Sequence, residues 1–243
     1  MSYCVGLRLN KGLVFMSDTR TNAGVDNFST FQKMFNWSKP GERCITVLTA
    51  GNLATTQTVI RLLDERINAP ANRNPSVMTA PSIFQIARMI GQTLRDVIQD
   101  SVASGQEATS TFDATIILGG QMENSEPKLF LIYPEGNFIE ASEDTPYFQS
   151  GETKYGRPIL VRAFDPDMSF EDAIKLLMVS FDSTIKANLS VGLPLDVQVY
   201  EKDSLAAGHN RRIEAEDPYY QTIANGWGEA LKEAFQSLPN YKF

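Results

Sequence analysis

The chain has 243 residues, enough to bury one large hydrophobic core, and no repeat or Gly/Ser-rich linker divides it, so we expect one domain over residues 1–243. Its formal net charge of −7 disfavours nucleic acid and anionic membranes as partners. The only histidine is His209, and Cys4 and Cys44 fall in apolar runs typical of reduced core residues. Without a CxxC, HExxH or glycine-rich phosphate motif, we expect neither a metal nor a cofactor.

The first twenty residues have the pattern of a β-hairpin. Two alternating apolar runs, at residues 3–9 and 13–20, flank a polar turn that contains Gly12. Only Met1 and Ser2 precede the first run, without the cationic flank and apolar stretch of a leader, so we expect neither a signal peptide nor a transmembrane segment. We expect methionine aminopeptidase to remove Met1, because a small residue follows it, and to leave Ser2 as the first residue.

A serine at the start of a strand can act as a nucleophile without histidine. The hydroxyl is weak until a base removes its proton, and the α-amino group, whose ordinary pKa is about 8, can be that base. The second run delivers Asp18, and a further apolar stretch at residues 28–35 delivers Lys33. A Lys33 ammonium held by Asp18 would lower the effective pKa of a neighbouring Ser2 hydroxyl. These three residues form a candidate catalytic set.

The rest of the chain alternates strands and helices. Residues 43–50 form a largely apolar strand that ends at Gly51, and two amphipathic helices follow at residues 52–67 and 82–104. Strands are predicted at residues 113–120, 128–134, 137–141 and 196–200, and helices from Ser169 to about residue 189 and from Asp217 to residue 235. Residues 207–212, including His209, are interpreted as a surface loop. This order predicts an α+β fold, a four-layer αββα sandwich in which two helix pairs cover two sheets.

Several short segments together resemble the β-type subunits of proteasomes. They are Ser2, Ser17-Asp18-Thr19-Arg20, Ala23-Gly24, Lys33 and Thr49-Ala50-Gly51. Each is common by itself, but the ordered set spaced across residues 2–51 is specific, and the resemblance continues to the C-terminus. The run at residues 3–9 together with residues 18–26 is most similar to one bacterial branch, the Anbu (ancestral β-subunit) proteasome-type proteases.

The resemblance implies an N-terminal nucleophile hydrolase of the threonine/serine type. Ser2 would be the nucleophile, its own amine the base, and the Gly51 N–H a donor to the oxyanion. Arg20, Asn22 and Ala50 would bind an extended peptide added at a sheet edge. The resemblance also implies that Ser150 and Ser190 belong to the catalytic set. For Ser150 two compatible roles stay open, which are a helix N-cap and a proton relay to the terminal amine.

Two positions depart from the proteasome pattern. The family places a supporting Asp three residues before the serine matched here by Ser190, and this chain has Ala187 there. Either the carboxylate is absent or Asp182 supplies it through a shifted register. The second departure is Ser2 in place of threonine, which removes the methyl group that restricts χ1 and leaves the hydroxyl less preorganised.

The sequence leaves three functions open: a peptidase, an amidohydrolase for a small amide or peptide-like metabolite, and an inactive scaffold with the proteasome fold. We expect a cytoplasmic homo-oligomer, either a ring or an open spiral of many subunits, because the broad apolar stripes of the helices at residues 52–67 and 82–104 exceed what one sheet can cover. Its substrate would be peptide or unfolded protein. Any unfoldase partner would be a separate chain, because no ATPase motif is present.

Overall fold

The computed structural model describes residues 2–22, 28–68, 75–103 and 112–243. The elements in chain order are β1 (Tyr3–Leu9), β2 (Gly12–Asp18), β3 (Arg20–Asn22), β4 (Phe28–Thr30), β5 (Met34–Lys39), β6 (Arg43–Gly51), α1 (Leu53–Ile67), α2 (Ile83–Ala103), β7 (Ala114–Met122), β8 (Lys128–Ile132), β9 (Phe138–Glu140), β10 (Tyr147–Gly151), α3 (Arg157–Ala163), α4 (Phe170–Ala187), β11 (Leu195–Glu201), β12 (His209–Ile213) and α5 (Pro218–Ser237).

Two five-stranded antiparallel sheets form the centre of the molecule. The first sheet has the order β10-β1-β2-β11-β12 and the second has the order β5-β6-β7-β8-β9, while β3 and β4 form a separate two-stranded ribbon. In the first sheet β1 lies between β10 and β2, with Cys4 opposite both Ser150 and Ser17. The residue that precedes β1, Ser2, therefore has a neighbouring strand on each side.

Three apolar layers hold the sandwich together. Helices α1 and α2 cover the second sheet, where Val59, Leu63, Ile86 and Ile90 pack against residues of β6, β7 and β8. The two sheets meet through a layer that includes Phe15, Leu48, Ile117 and Leu129. On the outer face of the first sheet, Tyr3, Val5 and Leu7 pack against Leu177 and Phe181 of α4, and Tyr220 of α5 joins this layer. The predicted four-layer αββα sandwich is therefore confirmed.

Three helices cover the first sheet, so the predicted arrangement of two helix pairs is wrong on that side. The additional element is α3, a seven-residue helix that packs on α4. Its N-cap is Gly156, and Ser150 lies in strand β10. The predicted N-cap role of Ser150 is therefore wrong.

Three predicted segments also differ in their bounds or type. The run at residues 13–20 is interrupted at Thr19, whose backbone N–H and hydroxyl both donate to the Pro194 carbonyl, so Arg20 begins a different sheet. The stretch at residues 28–35 is two strands, with Lys33 in the irregular segment between them. The predicted loop at residues 207–212 is wrong from His209 onward, because His209 starts edge strand β12, which pairs with β11 and exposes its polar side chains.

None of the helices in the described part of the chain has the length and apolarity required of a transmembrane segment.

Candidate active site

Ser2 is fixed at the beginning of β1 by contacts on both sides. Its carbonyl accepts the N–H of Glu152 at 2.7 Å, and the N–H of the next residue, Tyr3, donates to Asp18 Oδ1 at 2.9 Å. Ser2 itself is only 7% exposed. The Tyr3 ring lies 4.4 Å from Phe181 between centroids, so the strand start is tied to α4. This end of β1 is therefore ordered, where a chain terminus would ordinarily fray.

Asp18 and Lys33 form a buried ion pair next to this position. Lys33 Nζ lies 2.7 Å from Asp18 Oδ1, and it also donates to the Arg20 carbonyl at 2.5 Å. The same carboxylate oxygen accepts the Tyr3 N–H, so Asp18 connects the lysine to the start of β1. Burial raises the pKa of the Asp18 carboxyl, and the Lys33 ammonium acts in the opposite direction. The structure thus brings together the three residues of the candidate catalytic set.

The end of β6 lies close to both Lys33 and Ser2. The Lys33 carbonyl accepts the Thr49 N–H at 2.9 Å, which places the lysine beside the segment Thr49-Ala50-Gly51. Gly51 has φ +117°, and a Cβ there would lie 2.4 Å from the Asp113 carbonyl oxygen, so only glycine fits. A Cβ on Gly151 would lie 1.9 Å from Ser2 O and 3.4 Å from Ala50 Cβ, which shows how closely β1, β6 and β10 converge.

Ser150 is linked to the second sheet. Its hydroxyl forms a hydrogen bond with the hydroxyl of Thr115 on β7, and Thr115 is the register partner of Ala50. Ser150 stands opposite Cys4 in β1, two positions from Ser2. The relay role of Ser150 stays a prediction, and its hydroxyl is hydrogen-bonded to a second hydroxyl, that of Thr115. Sequence reasoning missed Thr115, because its relation to Ser150 depends on how the two sheets pack.

A loop from Asn188 to Pro194, here called the crossing loop, passes over the start of β1. At one end Asn188 Nδ2 donates to Glu152 Oε2 at 2.9 Å, and at the other end Pro194 holds Thr19. Between them Arg20 Nη1 donates to the Leu189 carbonyl at 3.3 Å. Because its two ends contact the residues that directly follow β10 and β2, the strands on either side of β1, the loop lies near the start of β1.

Ser190 is half-buried in the crossing loop, and its N–H donates to Asn188 Oδ1 at 2.9 Å. Ala187, where the family has its supporting Asp, is exposed at the end of α4. Asp182 instead pairs with Lys186 of the same helix at 3.0 Å and accepts from Tyr220 Oη of α5 at 3.5 Å. Glu152, which sequence reasoning did not select, is a further carboxylate that contacts the crossing loop.

The structure describes only some of the residues that were predicted to bind substrate. Arg20 and Ala50 lie beside the cluster, and Asn22 belongs to β3 by its backbone. Ala23-Gly24 and Met1, which also entered the sequence predictions, lie outside the described residues. Among the described residues no group of three or more His, Cys, Asp or Glu side chains is arranged to hold a metal ion.

Comparison with known proteins points to one family. Residues 2–199 match the family described as "Proteasome subunit". The structure of Anbu from Yersinia bercovieri is 45% identical, with a TM-score of 0.92 over 99% of this chain and 100% of that one. The structure titled "Helical Assembly of the Anbu Complex from Pseudomonas aeruginosa" is 42% identical, with a TM-score of 0.92 over 99% of this chain and 98% of that one.

Archaeal sequences are more distant relatives. Proteasome subunit beta 2 of Pyrobaculum calidifontis is 25% identical over 201 residues, which are 82% of this chain and 88% of the relative. The similarity to Anbu structures extends over nearly the whole chain, and this confirms the resemblance drawn from the sequence. The chain belongs to the proteasome subunit family, in which its full-length similarity is to the Anbu proteins.

Proposed function

We propose that the chain is a proteasome-type peptidase that uses Ser2, after removal of Met1, as its nucleophile. The observation that carries this proposal is the convergence on Ser2 of the buried Asp18–Lys33 pair and the Ala50–Gly51 segment. A buried ion pair is weak evidence for stability alone, because desolvation of both charges offsets their attraction. Its place next to an N-terminal serine gives it a chemical use.

The proposed reaction assigns a role to each of these groups. The Ser2 amine, directly or through one water, takes the hydroxyl proton while Oγ attacks the peptide carbonyl, and Lys33 stabilises the charge at Oγ. The Gly51 N–H donates to the oxyanion. The ammonium then gives its proton to the departing amine, which leaves an ester on Ser2. A water activated by the same amine hydrolyses the ester and frees the hydroxyl.

The substrate would be an extended peptide that lies between β3 and the end of β6. Asn22 and Ala50 would form hydrogen bonds with the peptide backbone, and Arg20 would contact the peptide on the same side. Backbone recognition of this kind accepts many sequences, which suits peptide and unfolded-protein substrates. We further propose a cytoplasmic assembly of many identical subunits, in line with the helical assembly named for the Pseudomonas aeruginosa relative, and a separate unfoldase chain.

The test is covalent labelling of Ser2. Intact mass of the purified protein first gives the fraction that starts at Ser2, and an electrophilic inhibitor of N-terminal nucleophile hydrolases is then added. We expect an adduct that peptide mapping places on Ser2, and none in Ser2→Ala. Met1 fully retained on protein from its native cells, or a folded Ser2-initiated protein that forms no adduct, would contradict the proposal and favour an inactive scaffold. Turnover of small amides but not peptides would favour an amidohydrolase.

A further inference from the structure

The structure assigns a role to Glu152: we propose that its carboxylate binds and orients the α-amino group of Ser2, and so replaces the supporting carboxylate that Ala187 cannot provide. The inference rests on the proposed function, because it concerns the base of that mechanism. Glu152 is a positioning residue in this proposal. It acts on the amine that carries the proton and does not contact the substrate.

The sheet register places Glu152 across from Ser2. Tyr3 is the partner of Gly151, so the next pair along the two strands is Ser2 and Glu152. The hydrogen bond from Glu152 N to Ser2 O, at 2.7 Å, shows that the two residues are adjacent. Cross-strand partners in antiparallel sheets have Cβ atoms about 5 Å apart, a separation that a glutamate side chain can span to reach a backbone amine.

The carboxylate is held in place by a neutral partner. Glu152 is only 8% exposed, and Oε2 accepts from Asn188 Nδ2 at 2.9 Å. Asn188 is itself fixed, since its Oδ1 accepts the N–H of Ser190 at 2.9 Å. The crossing loop therefore sets the direction of the Glu152 side chain without supplying a positive charge.

A buried carboxylate needs a cation, and none of the ion pairs among the described residues includes Glu152. Burying a charge without a partner is costly, so such groups are ordinarily paired. Removal of Met1 creates an ammonium group on Ser2, beside Glu152. This ammonium would pair with the Glu152 carboxylate. Removal of Met1 would thus supply both the catalytic amine and the positive partner of Glu152.

The charges around the amine come from four elements. Glu152 follows β10 and Asp18 ends β2, and both favour the ammonium form. Lys33, before β5, and Arg20, at the start of β3, oppose it. The groups that the crossing loop contributes here, Asn188 and Ser190, are neutral. Removing the Glu152 charge should therefore lower the pKa of the Ser2 amine, because the ammonium loses a nearby opposite charge.

The experiment measures this amine directly. The wild-type protein, Glu152→Gln and Glu140→Gln are each released from a fusion by cleavage immediately before Ser2, and their folding is compared by circular dichroism. Acetic anhydride in isotopically coded form is then applied from pH 5 to 10, and mass spectrometry of the N-terminal peptide gives the acetylation rate of the Ser2 amine. Glu140→Gln is the matched control, because it removes the same charge from an exposed position, where Glu140 of β9 pairs with Lys128 of β8.

We expect the midpoint of the rate profile to fall by about half a pH unit or more in Glu152→Gln and to stay unchanged in Glu140→Gln. An equal midpoint in wild-type and Glu152→Gln would overturn the proposal. If Glu152→Gln does not fold, Asn188→Ala takes its place, since it frees the carboxylate from its anchor and is expected to lower the midpoint as well. A shifted midpoint in a protein without peptidase activity would contradict the proposed function and leave this inference standing.

Discussion

Lys33 occupies a more demanding position than a surface lysine. Its ammonium is buried and is shared between the Asp18 carboxylate and the Arg20 carbonyl. Breaking a buried ion pair by removing one partner leaves an uncompensated charge, which costs about 3 kcal/mol or more. The residue therefore has both a structural and a catalytic role, and the two must be separated by experiment.

We expect Lys33→Ala to abolish acyl transfer and to lower the free energy of unfolding by about 3 kcal/mol. Lys33→Arg should not restore activity, because a guanidinium is broader and directs its donors differently. Inhibitor labelling of Ser2 and urea unfolding measure the two effects. The double variant Asp18→Asn/Lys33→Ala should regain part of the stability but no activity. Full activity in Lys33→Arg would show that Lys33 is only a general positive charge.

The sequence alone predicts those residues of the candidate site that lie in the N-terminal segments. Ser2, Asp18 and Lys33 could be predicted because a serine at a strand start, an aspartate at a strand end and a lysine after the hairpin stand in a recognisable order within the first 33 residues. Thr115, Glu152 and Asn188 could not. Each is a single polar residue without a motif: Thr115 reaches the site through the packing of the two sheets, Glu152 through the pairing of β10 with β1, and Asn188 through the path of the crossing loop.

Helices and strands whose apolar residues recur at a regular spacing could be predicted from the sequence. Elements that are short or mostly polar could not. The cap of α4 at Ser169 and the cap and proline of α5 at Asp217-Pro218 were predicted from the sequence, and both caps are present. Edge strand β12 has only one buried side chain, Ile213, and so lacks the alternation that marks a half-buried strand. Helix α3 spans only two turns, too few for a period to be recognised.

The junction of α3, α4 and β1 controls how the nucleophile strand is seated. Tyr3 Oη and Ser180 Oγ form a hydrogen bond of 2.8 Å, and Ser180 also donates to the Gly156 carbonyl at 3.0 Å. A Cβ on Gly156 would lie 2.3 Å from Tyr3 Oη and 2.4 Å from Ser180 Oγ. Any side chain at Gly156 must therefore move Tyr3, the residue that follows the nucleophile.

We expect Gly156→Ala to destabilise the protein by about 1–3 kcal/mol through overpacking and to slow inhibitor labelling of Ser2. Gly226→Ala is the matched control, because Gly226 lies in α5 and a Cβ there meets nothing within 4 Å. This control should be neutral or stabilising by up to about 1 kcal/mol, since Gly is a poor helix residue. Thermal unfolding and labelling rates measure both variants. Equal effects from the two substitutions would argue against a role of this junction in positioning Ser2.

For the whole molecule, exposed apolar surface lies in a different place from the one that the sequence predicts. The stripes of α1 and α2 are largely buried within the subunit, and Leu62 and Phe84 are their main exposed members. The second half of α5 exposes more apolar surface than α1 and α2 do. Leu231 is 49% exposed, Phe235 76% and the following Leu238 62%, while Tyr220 and Ala224 are the buried positions of this helix. A free monomer would present this apolar stripe to water, which soluble monomers avoid.

The assembly can therefore be tested at α5. The wild-type subunit, of 27.0 kDa, should sediment as a multiple of that mass at micromolar concentration. Leu231→Asp/Phe235→Asp should shift the distribution toward smaller species, because each new carboxylate would have to be buried in the subunit contact. The folded core should be unaffected, since neither side chain packs in it. Lys232→Glu, an exposed change on the same helix, controls for added negative charge. A wild-type protein that stays monomeric would refute the assembly and leave the candidate active site without an enclosing compartment. A wild-type oligomer that the double variant does not disturb would place the contact elsewhere, with Leu62 and Phe84 as the next positions to change.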